Sequence, residues 1–309
     1  FASQIFARRG TWGWNGGWEG DAYLILHYAG LQPRVIYDET IEREGLDAFK
    51  VVVAVNCDVL TQTVADALKA FQNRGGIIIG DENLCPAIQP DILLPSHTRP
   101  KEADAARALN LEKAAALRAE LDAHYQRYAE SSTPDVITRV RSYNSTDYLF
   151  AVNDAREFGD YVGHHKLVME NGLPTDAVLT IRHPGGHVYD LVTHRAVPTG
   201  AGDGLITIPR SFGPCEGCVL MVTDRPISAV RVEAPQAARP GESLTATVTV
   251  LGDDDRPLDA IVPVRVEFVD PAGRLAEFSG WYAAQDGRVQ VSTQLARNDT
   301  PGLWRIHAQ

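Results

Sequence analysis

The sequence predicts an α/β unit with a doubly wound parallel sheet, followed by all-β structure. Three observations carry this. Residues 1–100 alternate strand-like apolar runs with helix-like segments, the mark of a parallel sheet covered by helices on both faces. Lys101 to Glu130 is rich in Ala, Leu and charged residues and holds no Gly or Pro, so it reads as one long helix. From Val136 onward, short alternating runs are bounded by Gly, Pro, Asn and Asp, as in antiparallel β structure.

Taken in order, Gln4 to Ala7 is the expected first strand, followed by a Gly/Trp-rich stretch from Gly10 to Gly20. Asp21 to Gly30 reads as a helix with Gly30 as its stop. Arg34 to Tyr37 is expected as a second strand and Val51 to Val55 as a third. Val64 to Arg74 forms an amphipathic helix closed by Gly75 and Gly76, and Ile77 to Ile79 supplies a fourth strand. This pattern is flavodoxin-like. The long helix follows, with Asn110 as the position where a break would fall.

Expected strands of the middle region are Tyr148 to Val152, Ala177 to Arg182, His187 to Thr193, Leu205 to Pro209 and Val219 to Thr223. A break near Asp224-Arg225-Pro226 precedes Ile227 to Glu233, Ser243 to Leu251, Val262 to Val269 and Val289 to Leu295, spaced as in an Ig-like β-sandwich. Trp304 to His307 is expected on its last strand. The chain thus divides into a flavodoxin-like domain (1–100), a linking helix (101–135), an antiparallel β-domain (136–225) and an Ig-like β-sandwich (226–309). It opens at Phe1 without an initiator Met or a signal-peptide pattern and ends on a strand, so the expectation is a piece of a longer polypeptide.

Composition narrows the function classes. The 309 residues are 44% hydrophobic and 22% charged, with a net charge of −11. That balance suits a packed globular chain and gives no basic footprint for nucleic acid or an anionic membrane. No apolar run approaches the ~18 residues of a membrane helix, so no membrane insertion is expected. Four cysteines, at 57, 85, 215 and 218, do not make a disulfide scaffold. A secreted or periplasmic location fits the sandwich domain, while the scarce cysteines allow the cytoplasm.

The segment from Thr11 to Asp21 stands out because it holds Trp12, Trp14 and Trp18, three of the five tryptophans. The loop after the first strand of an open α/β sheet lies at the carboxyl edge, where ligands bind. Aromatic rings there suit packing against another domain or subunit. They also suit a sugar, whose apolar face stacks on indole while Glu19, Asp21 or an amide takes its hydroxyls. Neither the Rossmann glycine spacing nor a Walker lysine is present.

Asp81 and Glu82 form a carboxylate pair at the end of the fourth strand, and paired carboxylates can serve glycoside cleavage. Adjacent residues on a strand point apart, which favours a cap or salt bridge instead. Cys57 and Cys85 lie near the same edge, but only His97 follows within the domain to activate a thiol, so small buried cysteines are the simpler reading. Cys215-Glu216-Gly217-Cys218 has redox or half-zinc spacing but no second ligand pair, and it sits in a turn before a strand, so free thiols or a turn disulfide are expected. His164, His165, His183, His187 and His194 match no ligand spacing. No cofactor, no metal and no catalytic residue is assigned.

The runs Arg9-Gly10-Thr11-Trp12, Gly16-Gly17-Trp18, Leu46 to Val53, Ala67 to Phe71 and Gly75 to Ile79 resemble the β-galactosidase trimerisation domain. That flavodoxin-like, amidotransferase-like module follows the catalytic barrel in family 42 glycoside hydrolases. Leu149 to Arg156 and Val188 to Leu191 resemble the β-domain that often comes after it. Arg239 to Glu242, Asp270 to Gly273 and Asp299 to Trp304 look like macroglobulin or Ig-like domains. The resemblance implies the non-catalytic accessory and oligomerisation region of a larger glycoside-hydrolase-like protein. It implies a homo-oligomer and either a carbohydrate or a missing N-terminal catalytic barrel as partner. Two alternatives stand beside it: a carbohydrate-binding module using residues 11–21, and an amidotransferase-like hydrolase using Cys57 or Cys85. The ligand residues implied are Trp12, Trp14, Trp18, Glu19, Asp21, Asp81 and Glu82.

Overall fold

A computed structural model describes residues 17–162, 167–202 and 204–309. The expected strand Gln4 to Ala7, together with Trp12, Trp14, His164 and His165, lies outside these residues. The chain is mostly β, with several antiparallel sheets and few helices. It divides into two compact units. The first holds the chain up to Thr138 with Val152–Ala177 and Ser211–Glu216, and the second holds Arg139–Ala151, Val178–Arg210 and Gly217–Gln309.

Among the described residues, the first unit is built on three parallel strands, β1 (Val51–Ala54), β2 (Ile77–Gly80) and β3 (Ile92–Leu93), in that order across the sheet. Its helices are α1 (Trp18–Tyr28), α2 (Asp38–Glu44), α3 (Gln62–Asn73) and α4 (Ala103–Leu121). Strand alternation sends successive side chains to opposite faces. Val52 and Ile78 therefore pack with Ile41 of α2 and with Val64, Leu68 and Phe71 of α3. Val53, Ile77 and Ile79 pack with Ile25 and Leu26 of α1 and with Ala114, Leu117 and Leu121 of α4. Helices thus cover both faces. Ile25, Leu68, Ile78 and Ile79 are all 0% exposed, and each such burial stabilises the fold by roughly 1.5–3 kcal/mol.

Local chemistry sets the element ends. Thr61 caps α3, its Oγ1 accepting from the Val64 amide at 3.2 Å. Gly75 ends the same helix with φ of +87°, which a side chain rarely tolerates. Gly76 must be glycine because a Cβ there would stand 2.4 Å from the Phe71 ring.

Several expectations are corrected. Arg34 to Tyr37 is not a strand: Ile36 packs against the core beside α2 and α3 while Val35 and Tyr37 are 63% and 59% exposed, but no strand among the described residues pairs with the segment. The parallel sheet is described over three strands, and β3 was not foreseen because only two residues pair. The long helix stops at Leu121 and runs unbroken through Asn110, whose amide is buried against α1. Beyond it the chain turns, the Tyr125 amide donating to Leu121 O at 2.8 Å and Arg127 Nε to Ala29 O at 2.9 Å. Ala129–Ser131 then forms β4.

From β5 (Val136–Tyr143) and β6 (Thr146–Asn153) onward the strands are antiparallel. A hairpin joins β7 (Arg156–Val162) to β8 (Leu167–Gly172). The others are β9 (Thr175–Arg182), β10 (His187–Asp190), β11 (Arg195–Ala196), β12 (Gly200–Gly202), β13 (Leu205–Phe212) and β14 (Gly217–Thr223). They form sheets ordered β11-β10-β14-β6-β5 and β12-β13-β9-β4.

The second unit ends in a sandwich of two three-stranded sheets. One is ordered β15 (Ile227–Glu233), β16 (Ser243–Gly252), β19 (Arg288–Gln294), and the other β18 (Gly280–Ala284), β17 (Val262–Val269), β20 (Arg305–Ala308). Period-two alternation fills its interior: Ala246, Val248 and Val250 from β16 meet Val264, Val266 and Phe268 from β17 in one buried cluster.

Candidate functional site

The carboxyl edge of the parallel sheet gathers five of the residues singled out in the sequence: Trp18, Glu19, Asp21, Asp81 and Glu82. Asp81 and Glu82 follow β2 directly, Asn56 lies two residues beyond β1, and the first turn of α1 carries Trp18, Glu19 and Asp21. Glu19 and Asp21 there also complement the positive end of the helix dipole.

Asp81 is 3% exposed. Its Oδ2 accepts from Trp18 Nε1 at 2.6 Å and from the Asn56 amide at 2.7 Å, and its Oδ1 accepts from the Asn83 amide at 3.1 Å. One carboxylate thereby ties α1 to the ends of β1 and β2. Glu82 turns elsewhere and caps another loop, accepting from the Ser96 amide at 3.0 Å and from the Ser96 hydroxyl. The Ser96 hydroxyl and amide hold its carboxyl below the usual carboxylate range. Asp81 and Glu82 thus engage separate partners, and the pair reads as a clamp and a cap.

Asp21 is 1% exposed and anchors a second polar cluster. Arg99 Nε donates at 2.8 and 3.0 Å to its two oxygens, with Nη2 also on Oδ1. Asn110 Nδ2 donates to Oδ1 at 3.2 Å, and His97 Nε2 stands 3.3 Å from Oδ2. Burial pushes the His97 imidazole below the ordinary histidine range, the Asp21 carboxylate opposing it. Asn110 Oδ1 and His97 Nδ1 are buried and make no hydrogen bond among the described residues.

Trp18 corrects an expectation. Its side chain is 8% exposed, so the ring is packed and is not an open stacking surface. His97 meets it edge-on at 5.1 Å, Lys113 Nζ lies 5.8 Å from the ring centroid, and its Nε1 is engaged by Asp81. Glu19 is exposed, and its Oε1 accepts from Asn56 Nδ2. Asn56, Ser96, Arg99 and Lys113 escaped the sequence reading, Asn110 entered it only as a candidate helix break, and His97 only as a neighbour of Cys85. Residues 96–99 lie in a loop with no periodicity to mark them.

The thiols stand apart from this chemistry. Cys57 is 3% exposed and burial pushes its thiol up to about 12, so it is protonated at neutral pH and unsuited to attack a substrate. Cys215 is exposed, Cys218 is buried, and both are free thiols. Among the described residues, no group of three or more His, Cys, Asp or Glu side chains is placed to hold a metal ion. A cavity of about 300 Å³ opens at the amino end of the same strands, lined by Phe49, Lys50, Phe71, Arg74 and Tyr125 among others, and none of the sequence-predicted residues lines it.

No protein-family model matches the chain, and no curated protein matches it either. Solved structures do. α-L-Fucosidase isoenzyme 2 from Paenibacillus thiaminolyticus superposes with a TM-score of 0.50 at 8% identity, over 68% of this chain and 45% of that one. The apo exo-carrageenase GH42 from Bacteroides ovatus gives a TM-score of 0.34 at 13% identity, over 66% of this chain and 26% of that one. The first likeness is one of fold, and the chain spans less than half the length of that fucosidase.

Proposed function

We propose that this chain is a non-catalytic accessory and oligomerisation region of a larger carbohydrate-active, glycoside-hydrolase-like protein. The observation that carries the reading is the fold shared with the Paenibacillus α-L-fucosidase over 68% of this chain. The state of the carboxylates adds to it. Asp81 is saturated by Trp18, Asn56 and Asn83, and Asp21 by Arg99 and Asn110, so neither is free to exchange a proton with a substrate. On this reading the flavodoxin-like segment 1–100 takes the role of a trimerisation module, segment 101–135, with helix α4 at its start, links it onward, and the β segments 136–225 and 226–309 follow.

Two measurements test it. Light scattering on the purified chain is expected to give an oligomer of the 33.7 kDa subunit, and a monomer at micromolar concentration would sink the assembly role. The polypeptide isolated from its source cells is expected to exceed 33.7 kDa by a barrel of ~250 residues. A native product of the present size would leave no barrel to assist. Turnover of aryl glycosides by this chain, lost in Asp81→Ala, would overturn the non-catalytic reading.

A second reading, carbohydrate binding through residues 11–21, is favoured by one observation. Glu19 is exposed at the carboxyl sheet edge, where it continues directly from the Trp12 and Trp14 segment. Trp14→Ala should then abolish oligosaccharide affinity while leaving the fold unchanged, and unaltered affinity would dismiss it.

A further inference from the structure

The solvent face of the β18-β17-β20 sheet carries a set of side chains that the core does not need. On β17, Val264, Val266 and Phe268 point inward and are no more than 1% exposed, so Arg265 and Glu267 point outward. Register places Trp281 directly across from Arg265 and His307 directly across from Glu267. Cross-strand partners share a face with Cβ atoms about 4.5–5.5 Å apart, so these four side chains form one continuous patch.

Trp281 is 53% exposed yet held in place. The imidazole of His194 stacks on it at 4.7 Å and 22°. His194 stands at the tip of the β10–β11 hairpin with φ of +56°, an uncommon conformation for a residue with a side chain. Asp190 shapes that tip, its Oδ1 accepting from the Val192 and Thr193 amides at 2.8 and 3.0 Å and its Oδ2 from Arg210 at 2.6 Å. An exposed indole is thus preorganised by a separate loop, which lowers the ordering cost of any ligand that uses it.

We propose that this face binds an uncharged saccharide, a pyranose ring lying on the Trp281 indole with its hydroxyls on Arg265, Glu267 and His307. Charge complementarity selects the occupant. Arg265 Nη2 pairs with Glu267 Oε1 at 2.7 Å, so at the centre of the patch fork-like donors and a carboxylate acceptor balance each other, with Arg305 on the same face beyond His307. An anionic partner would meet Glu267 and a cationic one Arg265, whereas a neutral polyol uses both. The exposed carbon framework of a pyranose matches the indole face. The site belongs to the second unit and goes beyond the accessory role, since it needs neither an oligomer nor residues 11–21.

The test is affinity electrophoresis of the full chain in native gels containing galactomannan, xyloglucan or arabinogalactan, with a sulfated galactan as the charged comparison. At least one neutral polysaccharide is expected to retard the protein. Trp281→Ala should weaken that retardation about tenfold or more, and Trp281→Tyr should keep most of it. Arg265→Met should lower it several-fold, and it provides the readout if Trp281→Ala fails to fold. Retardation by none of the neutral polymers, by the sulfated galactan alone, or unchanged in Trp281→Ala would each overturn the proposal. So would light scattering showing that Trp281→Ala dissociates an oligomer, because the face would then be a contact between copies of the chain. Failure here leaves the assembly role untouched, and a monomeric wild type leaves saccharide binding untouched.

Discussion

The indole Nε1 of Trp18 donates to Oδ2 of Asp81 at 2.6 Å, joining the first turn of α1 to the end of β2 across 63 residues of sequence. Both partners are buried, so the bond is shielded from water, and the carboxylate it satisfies has no alternative solvent contact. Trp18→Phe keeps an aromatic ring while removing the Nε1 donor and part of the buried ring volume. It should cost about 1–3 kcal/mol in urea denaturation with an unchanged denaturant slope. A midpoint equal to that of the unaltered chain would show that the bond does not hold α1 to the sheet.

The close approach at Gly76 makes a second prediction. An added methyl would stand 2.4 Å from the Phe71 ring, and Phe71 is 3% exposed and packed in the core with Val64, Leu68 and Ile78, so the ring would have to shift to admit it. Gly76→Ala should destabilise by about 1–3 kcal/mol through overpacking. Phe71→Leu in the same chain should recover part of the loss, and strict additivity of the two changes would refute the steric account.

His97 should make stability depend on pH with a definite sign. Burial lowers its folded pKa below the ordinary 6.5, against the pull of Asp21, so the unfolded chain binds a proton that the folded one resists. This contribution is fully present above about pH 6.5 and is lost as pH falls from there through the folded value. His97→Gln should flatten that part of the stability profile. A titration of the His97 ring by NMR that showed a midpoint above 6.5 would reverse the sign and contradict the prediction.

The cysteines should separate by accessibility. Cys215 is exposed, whereas Cys57 and Cys218 are each 3% exposed and the Cys57 thiol is raised to about 12. With iodoacetamide at neutral pH, mass mapping should find Cys215 labelled first and Cys57 and Cys218 labelled only after denaturation. Rapid labelling of Cys57 in the native chain would revive a nucleophilic role for it.

Much of the architecture was readable before any coordinates. The β-branched runs at Val51 and Ile77, the Gly75-Gly76 stop and the alternation of Val262 to Val269 each point to their elements, because local propensity and a period of two act within a few residues. Ile227–Glu233 and Val262–Val269 are strands over the spans their patterns mark. Where alternation was present without a pairing strand among the described residues, as at Arg34 to Tyr37, the same reasoning failed although Ile36 does pack against the core. A strand needs a hydrogen-bonded partner, and four residues do not encode one.

Of the site, the residue types and their approximate place at the carboxyl sheet edge were legible, since Asp81 follows a recognisable strand and Trp18 a recognisable glycine pair. Their roles were not. Tertiary structure alone brought Arg99, 78 residues away, onto Asp21, turned Glu82 toward Ser96 and buried Trp18. It also set Trp281 opposite Arg265, because alternation tells which face a side chain occupies while register depends on which strands pair. The sequence by itself determined which segments fold as helix or strand and which side chains are chemically able. Only the packing of distant segments decided which of those side chains are saturated in the interior and which, like Trp281, stay open to a ligand.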